Sequence, residues 1–204
     1  MSRIIAYVDG FNLYHGLKEF GHDHGNAHAY LWFDIKSCLE TLLSGPELDL
    51  IKVKYFTARP YGVGTCARHE MYCSALKQTG VQIIYGKYKQ RKVSCPLCSG
   101  EFDTFEEKQT DINIALNLVN DTAQDFCDIA VLVSGDTDLV PSLKSVKQLH
   151  PSKQCFVVFP PKRNKSYELR SAADKYYDLT KWHCKTFQFP DIINATIQKP
   201  QTWY

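Results

Sequence analysis

Short apolar segments alternate with helical segments along this chain, and that alternation limits its possible folds more than any other feature. The predicted strands are 4–8, 48–57, 81–89, 128–133 and 154–161. The predicted helices are 33–43, 65–79, 105–120 and 139–149, and residues 166–179 supply a last helix and a short edge strand. Strands that are apolar on both faces and alternate with helices form parallel sheets covered on both sides. The sequence therefore predicts an α/β fold with a parallel sheet between helices.

A single domain is expected over residues 1–190. The 204 residues are 44% apolar, which is enough to bury a substantial core. Thr104 and Glu107 have the spacing of a capping box and predict where the helix at 105–120 begins. A hairpin insert is expected at 91–103, and a loosely held C-terminal tail at 191–204.

The charge and the apolar pattern limit the partners of the chain. A formal net charge of +2 gives no global attraction to nucleic acid or anionic lipid, so any basic site must be local. No segment approaches the roughly 20 apolar residues of a membrane span, and the apolar run near the N-terminus is too short for a signal peptide. We therefore expect a cytoplasmic protein without a membrane partner, and the sequence leaves a homodimer open.

Four aspartates are predicted to reach one edge of the sheet. Asp9 ends the first strand, Asp136 and Asp138 follow the fourth, and Asp111 lies in the first two turns of a helix that begins at the same edge. Ligands of open parallel sheets bind beyond the carboxyl ends of the strands. Three separate segments therefore bring carboxylates toward one predicted site.

Carboxylates that lie this close favour a bound cation. Two ionised carboxylates about 4 Å apart repel each other by roughly 4 kcal/mol at an effective dielectric constant near 20. A divalent ion relieves this repulsion, and oxygen ligands favour Mg²⁺ or Mn²⁺ over zinc. The alternative is that each aspartate only caps a helix or forms a turn.

Three blocks resemble a known family. They are YVDGFNLY at 7–14, EEKQTDINIA at 106–115 and LVSGDTDLVP at 132–141. In order and spacing they resemble the signature blocks of NYN domains of the LabA-like group, which are relatives of PIN-domain nucleases. With the later FPP and SYELRSAAD segments, the resemblance spans about residues 3–180.

The resemblance implies a PIN-like parallel sandwich with Mg²⁺- or Mn²⁺-dependent ribonuclease activity, endonucleolytic and leaving 5′-phosphate and 3′-hydroxyl ends. It assigns metal ligation to Asp9, Asp111, Asp136 and Asp138, orientation of substrate or metal-bound water to Asn12, and support of the turn to Ser134 and Gly135. The sequence departs from the family pattern in two places. Gln109-Thr110 stand where relatives commonly carry a small residue followed by an apolar one. Many relatives carry an acid near Asn117, and its absence here predicts a weaker second metal position.

Three other functions compete with this one. A non-catalytic RNA-binding or assembly module with a relict metal site is the main alternative, although the four acids are all intact. GVGTCA at 62–67 mimics a dinucleotide-binding loop, but no acid follows about twenty residues later. Phe11 stands where a haloacid-dehalogenase-type phosphatase needs an acid.

A structural zinc site is also predicted. Cys95 and Cys98 form a CxxC pair with the spacing of a zinc knuckle, and a closed site needs four ligands. Cys66 and His69, near the start of the second helix, are candidates to complete it. The alternative for Cys66 is an ordinary buried thiol.

An RNA substrate requires cations for phosphates and aromatic rings for unstacked bases. Two basic segments have this character, one of them interleaved with tyrosines. Their cations are Lys87, Lys89, Arg91 and Lys92 in the first segment and Lys162, Arg163 and Lys165 in the second. The alternative is that both are only solvated surface.

Overall fold

The computed structural model describes residues 1–94 and 100–203, without the side chains of residues 90, 91, 94 and 101–107. Its centre is a six-stranded sheet in the order β3-β2-β1-β6-β7-β8, and all neighbouring strands are parallel. The strands of this sheet are β1 (Ser2–Asp9), β2 (Leu48–Thr57), β3 (Gln82–Tyr85), β6 (Ile129–Val133), β7 (Gln154–Phe159) and β8 (Lys175–Asp178). The predicted α/β parallel sheet is confirmed.

Helices cover both faces of the sheet. They are α1 (Gly10–His22), α2 (Ile35–Leu42), α3 (Val63–Gln78), α4 (Thr110–Ala123), α5 (Val140–Leu149), α6 (Tyr167–Ala172) and α7 (Lys181–Thr186). Side chains of α1, α2 and α3 join one apolar core and those of α4, α5 and α6 join the other. Strand β1 serves both, because Ile4, Ala6 and Val8 face the first core and Ile5 and Tyr7 face the second.

The prediction of a helix over 105–120 is wrong at its start. Residues Glu101–Lys108 form strand β5, which pairs antiparallel with β4 (Lys87–Ser94), and α4 begins only at Thr110. Thr104 and Glu107 therefore lie in a strand that pairs with β4, and not at the start of a helix, where the capping box was predicted. Gln109, in the left-handed conformation at φ 76°, turns the chain from β5 into the helix.

The predicted third strand divides at Gly86 into β3 and β4. A Cβ atom at Gly86 would lie 2.5 Å from Thr110 Oγ1 and 2.8 Å from the Lys108 carbonyl oxygen, so only glycine fits against the start of α4. The hairpin β4–β5 leaves the main sheet at this point. The CPLC segment at 95–98 falls outside the described residues.

Two further expectations required correction. No helix is predicted before residue 33, whereas α1 begins at Gly10, directly after β1. The tail at 191–204 was expected to be loosely held, but Ile197 and Trp203 are buried, and the Trp203 ring lies 6.1 Å from that of Trp32 and 6.2 Å from that of Tyr72. Burying a tryptophan removes a large apolar area from water, which holds this segment on the core.

A buried polar network fixes α4 beneath the sheet. Lys54 Nζ of β2 lies 2.6 Å from Asp121 Oδ2 and donates to Asn117 Oδ1 at 2.9 Å, and Tyr7 OH donates to Asp121 Oδ2 at 2.7 Å. Lys54 and Asp121 are only 7% and 6% exposed. Asn117, one of the departures from the family pattern noted in the sequence, is thus a hydrogen-bond partner of Lys54.

No helix in the described part of the chain combines the length and apolar character that crossing a bilayer requires.

Candidate metal centre

Three acids from three segments converge at the carboxyl edge of the sheet. Carboxylate oxygens of Asp9, Asp111 and Asp136 all lie within 4.8 Å of one another. Asp9 ends β1, Asp111 lies in the first turn of α4, and Asp136 follows β6. Parallel pairing of β1 with β6 brings Asp9 and Asp136 together, because both strands end at the same edge.

Hydrogen bonds hold the Asp9 carboxylate in place. Its Oδ1 accepts from the backbone N–H of Asn12 at 2.9 Å and its Oδ2 accepts from the Ser134 hydroxyl at 2.8 Å. The first bond is the N-cap of α1, so Asp9 serves at once as a helix cap and as a member of the acid group. The two interpretations of this aspartate, as a cap and as a ligand, are therefore compatible.

The turn after β6 is joined to the turn after β1. The Ser134 hydroxyl accepts from the Asp136 N–H at 3.0 Å while it donates to Asp9. The Gly135 N–H donates to Asn12 Oδ1 at 3.0 Å. Asn12, which the resemblance assigned to substrate or water, therefore has its side-chain oxygen occupied in bracing the loop that carries Asp136.

Asp138 lies beside the group rather than in it. Its side chain is exposed, and its backbone N–H donates to Asp136 Oδ1 at 2.9 Å. Asp136 thus caps the short 3₁₀ turn Thr137–Leu139. The carboxylate of Asp138 contributes negative charge near Asp111.

The electrostatics fit a cation. Partial burial, together with the charges of Asp136 and Asp138, raises the pKa of Asp111. Among the described residues, no lysine or arginine forms an ion pair with Asp111, Asp136 or Asp138. Closely spaced carboxylates, of which Asp9 and Asp136 are held by hydrogen bonds, match the oxygen ligands of a hard divalent ion.

A variant of Ser134 tests whether the hydrogen bonds that hold Asp9 support metal binding. Ser134→Ala leaves Asp9 Oδ2 without this donor, so we expect a loss of about 1–3 kcal/mol in the free energy of unfolding and roughly 10- to 100-fold weaker Mg²⁺ or Mn²⁺ binding. Ser142→Ala removes another buried hydroxyl, which donates only to the Leu139 carbonyl, and should leave metal affinity unchanged. Urea unfolding and calorimetric metal titration measure both variants. Equal metal affinity in the Ser134→Ala and Ser142→Ala variants would contradict the role of Ser134 in holding Asp9 for metal binding.

The predicted zinc site gains no support from the described residues. Cys95 and Cys98 lie outside them. His69 Nε2 lies 2.8 Å from Thr57 Oγ1, and its ring is largely buried in α3. Within residues 1–94 and 100–203, Cys66 and His69 belong to no group of three metal-ligating side chains.

The two basic segments differ in their surroundings. The cations after β7 are paired with acids: Lys162 with Asp23, Arg163 with Glu19 and Lys165 with Asp178. On β4, Lys87, Lys89 and Lys92 are exposed, and the Arg91 side chain lies outside the description. The hairpin therefore offers the more accessible positive charge.

An aromatic cavity beside the acids was not predicted from the sequence. Its volume is about 330 Å³, and its wall begins at Gly10, the residue after Asp9. A Cβ at Gly10 would lie 2.5 Å from the Phe56 carbonyl oxygen, so the wall requires glycine. The only sequence signal was the density of rings in FNLYH at 11–15, which reads equally well as helix core.

Comparisons with known proteins agree with this architecture. The NYN domain profile matches residues 3–180. The chain is 26% identical to 6-hydroxy-3-succinoylpyridine 3-monooxygenase HspA of Pseudomonas putida, over 99% of this chain and 75% of that protein. It resembles the crystal structure of a Vibrio parahaemolyticus protein of unknown function with a TM-score of 0.64, 19% identity, and coverage of 92% of this chain and 96% of that one.

Proposed function

This chain belongs to the NYN domain family, and we propose that it is a ribonuclease that depends on Mg²⁺ or Mn²⁺ and cuts RNA internally. NYN domains are PIN-like and generally nucleases, so phosphodiester hydrolysis is the reaction expected of an intact site. We further assign the chain to the LabA-like group and to the cytoplasm, and a homodimer remains compatible with the proposal.

The observation that carries the proposal is the convergence of Asp9, Asp111 and Asp136 within 4.8 Å. These three would hold the ion, and Asp138 would add charge beside them. A bound divalent ion lowers the pKa of a water molecule and stabilises the oxygens of a phosphoryl group in displacement.

The protein's own side chains supply orientation. Ser134 and the Asn12 N–H hold both oxygens of Asp9, while Asn12 Oδ1 fixes the loop of Asp136. Lys87, Lys89, Arg91 and Lys92 of the hairpin are assigned to RNA phosphates, as are Lys162, Arg163 and Lys165 if their acidic partners release them. Cleavage would leave 5′-phosphate and 3′-hydroxyl ends.

A cleavage assay with Asp136→Asn tests the proposal. The wild-type protein should cut single-stranded RNA only with Mg²⁺ or Mn²⁺, and the variant should lose this activity by about two orders of magnitude or more. Asp49→Asn is the matched control, because Asp49 is an exposed aspartate where β2 begins, at the opposite edge of the sheet.

The alternative of a non-catalytic RNA-binding or assembly module makes a different forecast for the same assay. In that case RNA binds without being cut, and Asp136→Asn leaves the binding unchanged. Products with ends other than 5′-phosphate and 3′-hydroxyl would contradict the proposed chemistry even if cutting occurs.

A second candidate function is oxygenation of a small heteroaromatic compound. The relative HspA is named for a monooxygenase reaction on a hydroxypyridine, and the aromatic cavity beside the acids favours a flat ring as a ligand. Monooxygenation needs two electrons from a reductant in addition to oxygen. Oxygen uptake with 6-hydroxy-3-succinoylpyridine and a reduced nicotinamide, measured beside RNA cleavage, separates the two functions.

A further inference from the structure

The aromatic cavity adjoins the metal centre through the backbone. Gly10, which directly follows Asp9, belongs to its wall together with Phe11, His15, Arg68, Tyr88 and Trp203. Its volume of about 330 Å³ lies at the lower end of the range for small-molecule sites, roughly 300–1,000 Å³. A group of one or two rings is therefore the size of occupant that the cavity can enclose.

Phe11 gives this cavity an exposed ring, and two of the histidines in its wall, His15 and His69, have lowered pKa values. Phe11 is 49% exposed and lies 4.3 Å from the ring of His15. Burial lowers the pKa of His69 to about 4, and burial together with Arg163 and Lys18 lowers the pKa of His15. Both imidazoles are therefore uncharged at neutral pH, which suits stacking on a flat ring.

Cations stand at the sides of the cavity. Lys18 of α1 and Arg68 of α3 both contribute to the wall. Arg68 Nη2 donates to Thr65 Oγ1 at 3.2 Å, within the same helix. A ligand that joins a flat ring to an anion matches this combination.

A second cavity continues the surface toward the hairpin. It shares Pro60 and Tyr88 with the first cavity and adds Arg59, Tyr61, Tyr85, Gly86 and Lys87. The Tyr61 and Tyr88 rings lie 6.0 Å apart, and Arg59 lies over Tyr85 at 5.3 Å. Because Gly86 packs on Thr110, this second cavity reaches the helix that carries Asp111.

We propose that the first cavity holds one unstacked base of a single-stranded RNA, next to the phosphate at the acid group, and that the following nucleotides cross Tyr88 and Tyr61 toward the hairpin. This inference rests on the proposed ribonuclease function and names its substrate class. Rings that alternate with cations along a groove are the recurring arrangement for single strands. Bases paired within a duplex are stacked and cannot enter the cavity.

Phe11→Ala tests the proposal by RNA binding. Binding of a fluorescein-labelled single-stranded RNA is measured by anisotropy, with Asp136→Asn as the background so that the probe is not cut. Base stacking on an aromatic residue contributes about 1–3 kcal/mol, so the Kd should rise at least about fivefold in Phe11→Ala. A double-stranded RNA of the same sequence should bind more weakly than the single strand and show no such rise.

Tyr176→Ala is the matched control. Tyr176 is 51% exposed, close to the value for Phe11, but it lies on β8, the edge strand farthest from β3 in the sheet. We expect it to bind single-stranded RNA as the parent does. Equal Kd values for Phe11→Ala and Tyr176→Ala, each with normal circular dichroism, would overturn the proposal.

A base analogue distinguishes the occupant. 2-Aminopurine placed at successive positions of the RNA should be quenched at one position, and Phe11→Ala should abolish that quenching. If free 6-hydroxy-3-succinoylpyridine binds instead and RNA shows no dependence on Phe11, the cavity belongs to a small aromatic ligand and the proposal fails. RNA binding that depends on Phe11, with no cleavage by the wild type in Mg²⁺ or Mn²⁺, would refute the ribonuclease function alone.

Discussion

Replacing Asp111 by asparagine is expected to separate activity from stability. Asp111 belongs to the carboxylate group within 4.8 Å, so its loss should reduce metal-dependent RNA cleavage by at least about 100-fold, which corresponds to about 2.7 kcal/mol of transition-state stabilisation. The metal-free variant should nevertheless unfold at a higher temperature than the wild type, because asparagine avoids the cost of partly burying the Asp111 charge and its repulsion by Asp136 and Asp138, which together raise the Asp111 pKa. Single-turnover cleavage and thermal unfolding in EDTA measure the two effects.

The same substitution should also change how the stability of the metal-free protein varies with pH. A carboxyl whose pKa is raised on folding binds its proton more tightly in the native state, so the metal-free protein gains stability as the pH falls through the raised pKa. Asp111→Asn should lose that gain, and its stability curve should be flatter over the same window. Added Mg²⁺ or Mn²⁺ should stabilise the wild type and leave the variant almost unaffected. A variant that unfolds at a lower temperature in EDTA would show that Asp111 is mainly structural.

The carboxyl edge of the sheet was predictable because strand periodicity and strand ends are local signals. Asp9 and Asp136 follow runs that are apolar on both faces, and parallel pairing then brings their strand ends together. Asp111 was placed in the first turns of its helix for an incorrect reason, since the capping box at Thr104 lies in β5. The predicted position of Asp111 is nevertheless correct, because the helix begins only a few residues later than predicted, at Thr110.

The contacts across the chain were not predictable. Nothing local indicates that Asn12 reaches Gly135, because the bond joins residues 123 positions apart. The sequence places Trp203 in a loose tail, whereas in the structure it belongs to the core and to the cavity wall. Its burial depends on contacts with the distant residues Trp32 and Tyr72. Lys54 alternates with apolar residues in β2 as an exposed residue would, yet its amine is buried against α4. Long-range partners of this kind leave no periodic trace in a single sequence.

The second large effect is expected at that buried lysine. Among the described residues, Lys54 is the only cation that contacts Asp121, Asn117 or Tyr7. Lys54→Met removes it and leaves the Asp121 carboxylate buried with the Tyr7 hydroxyl. Removing one partner of a buried pair costs about 3–5 kcal/mol. We therefore expect a loss of that size in the free energy of unfolding, measured with urea.

Two comparisons identify the cause of this loss. Lys147→Met breaks a pair of the same kind, in which Nζ lies 2.7 Å from Asp174 Oδ1, but that pair is partly exposed and its loss should cost no more than about 1 kcal/mol. In the double variant Lys54→Met with Asp121→Leu, no buried charge remains, so much of the stability should return despite the lost acceptor of Tyr7. If the double variant were as unstable as the sum of its two single variants, the stabilisation would come from packing of the lysine stem rather than from compensation of charge.

Because α4 carries Asp111 at its other end, the same comparison shows whether this pair also sets the position of the metal centre. Recovery of stability without recovery of RNA cleavage would mean that it does.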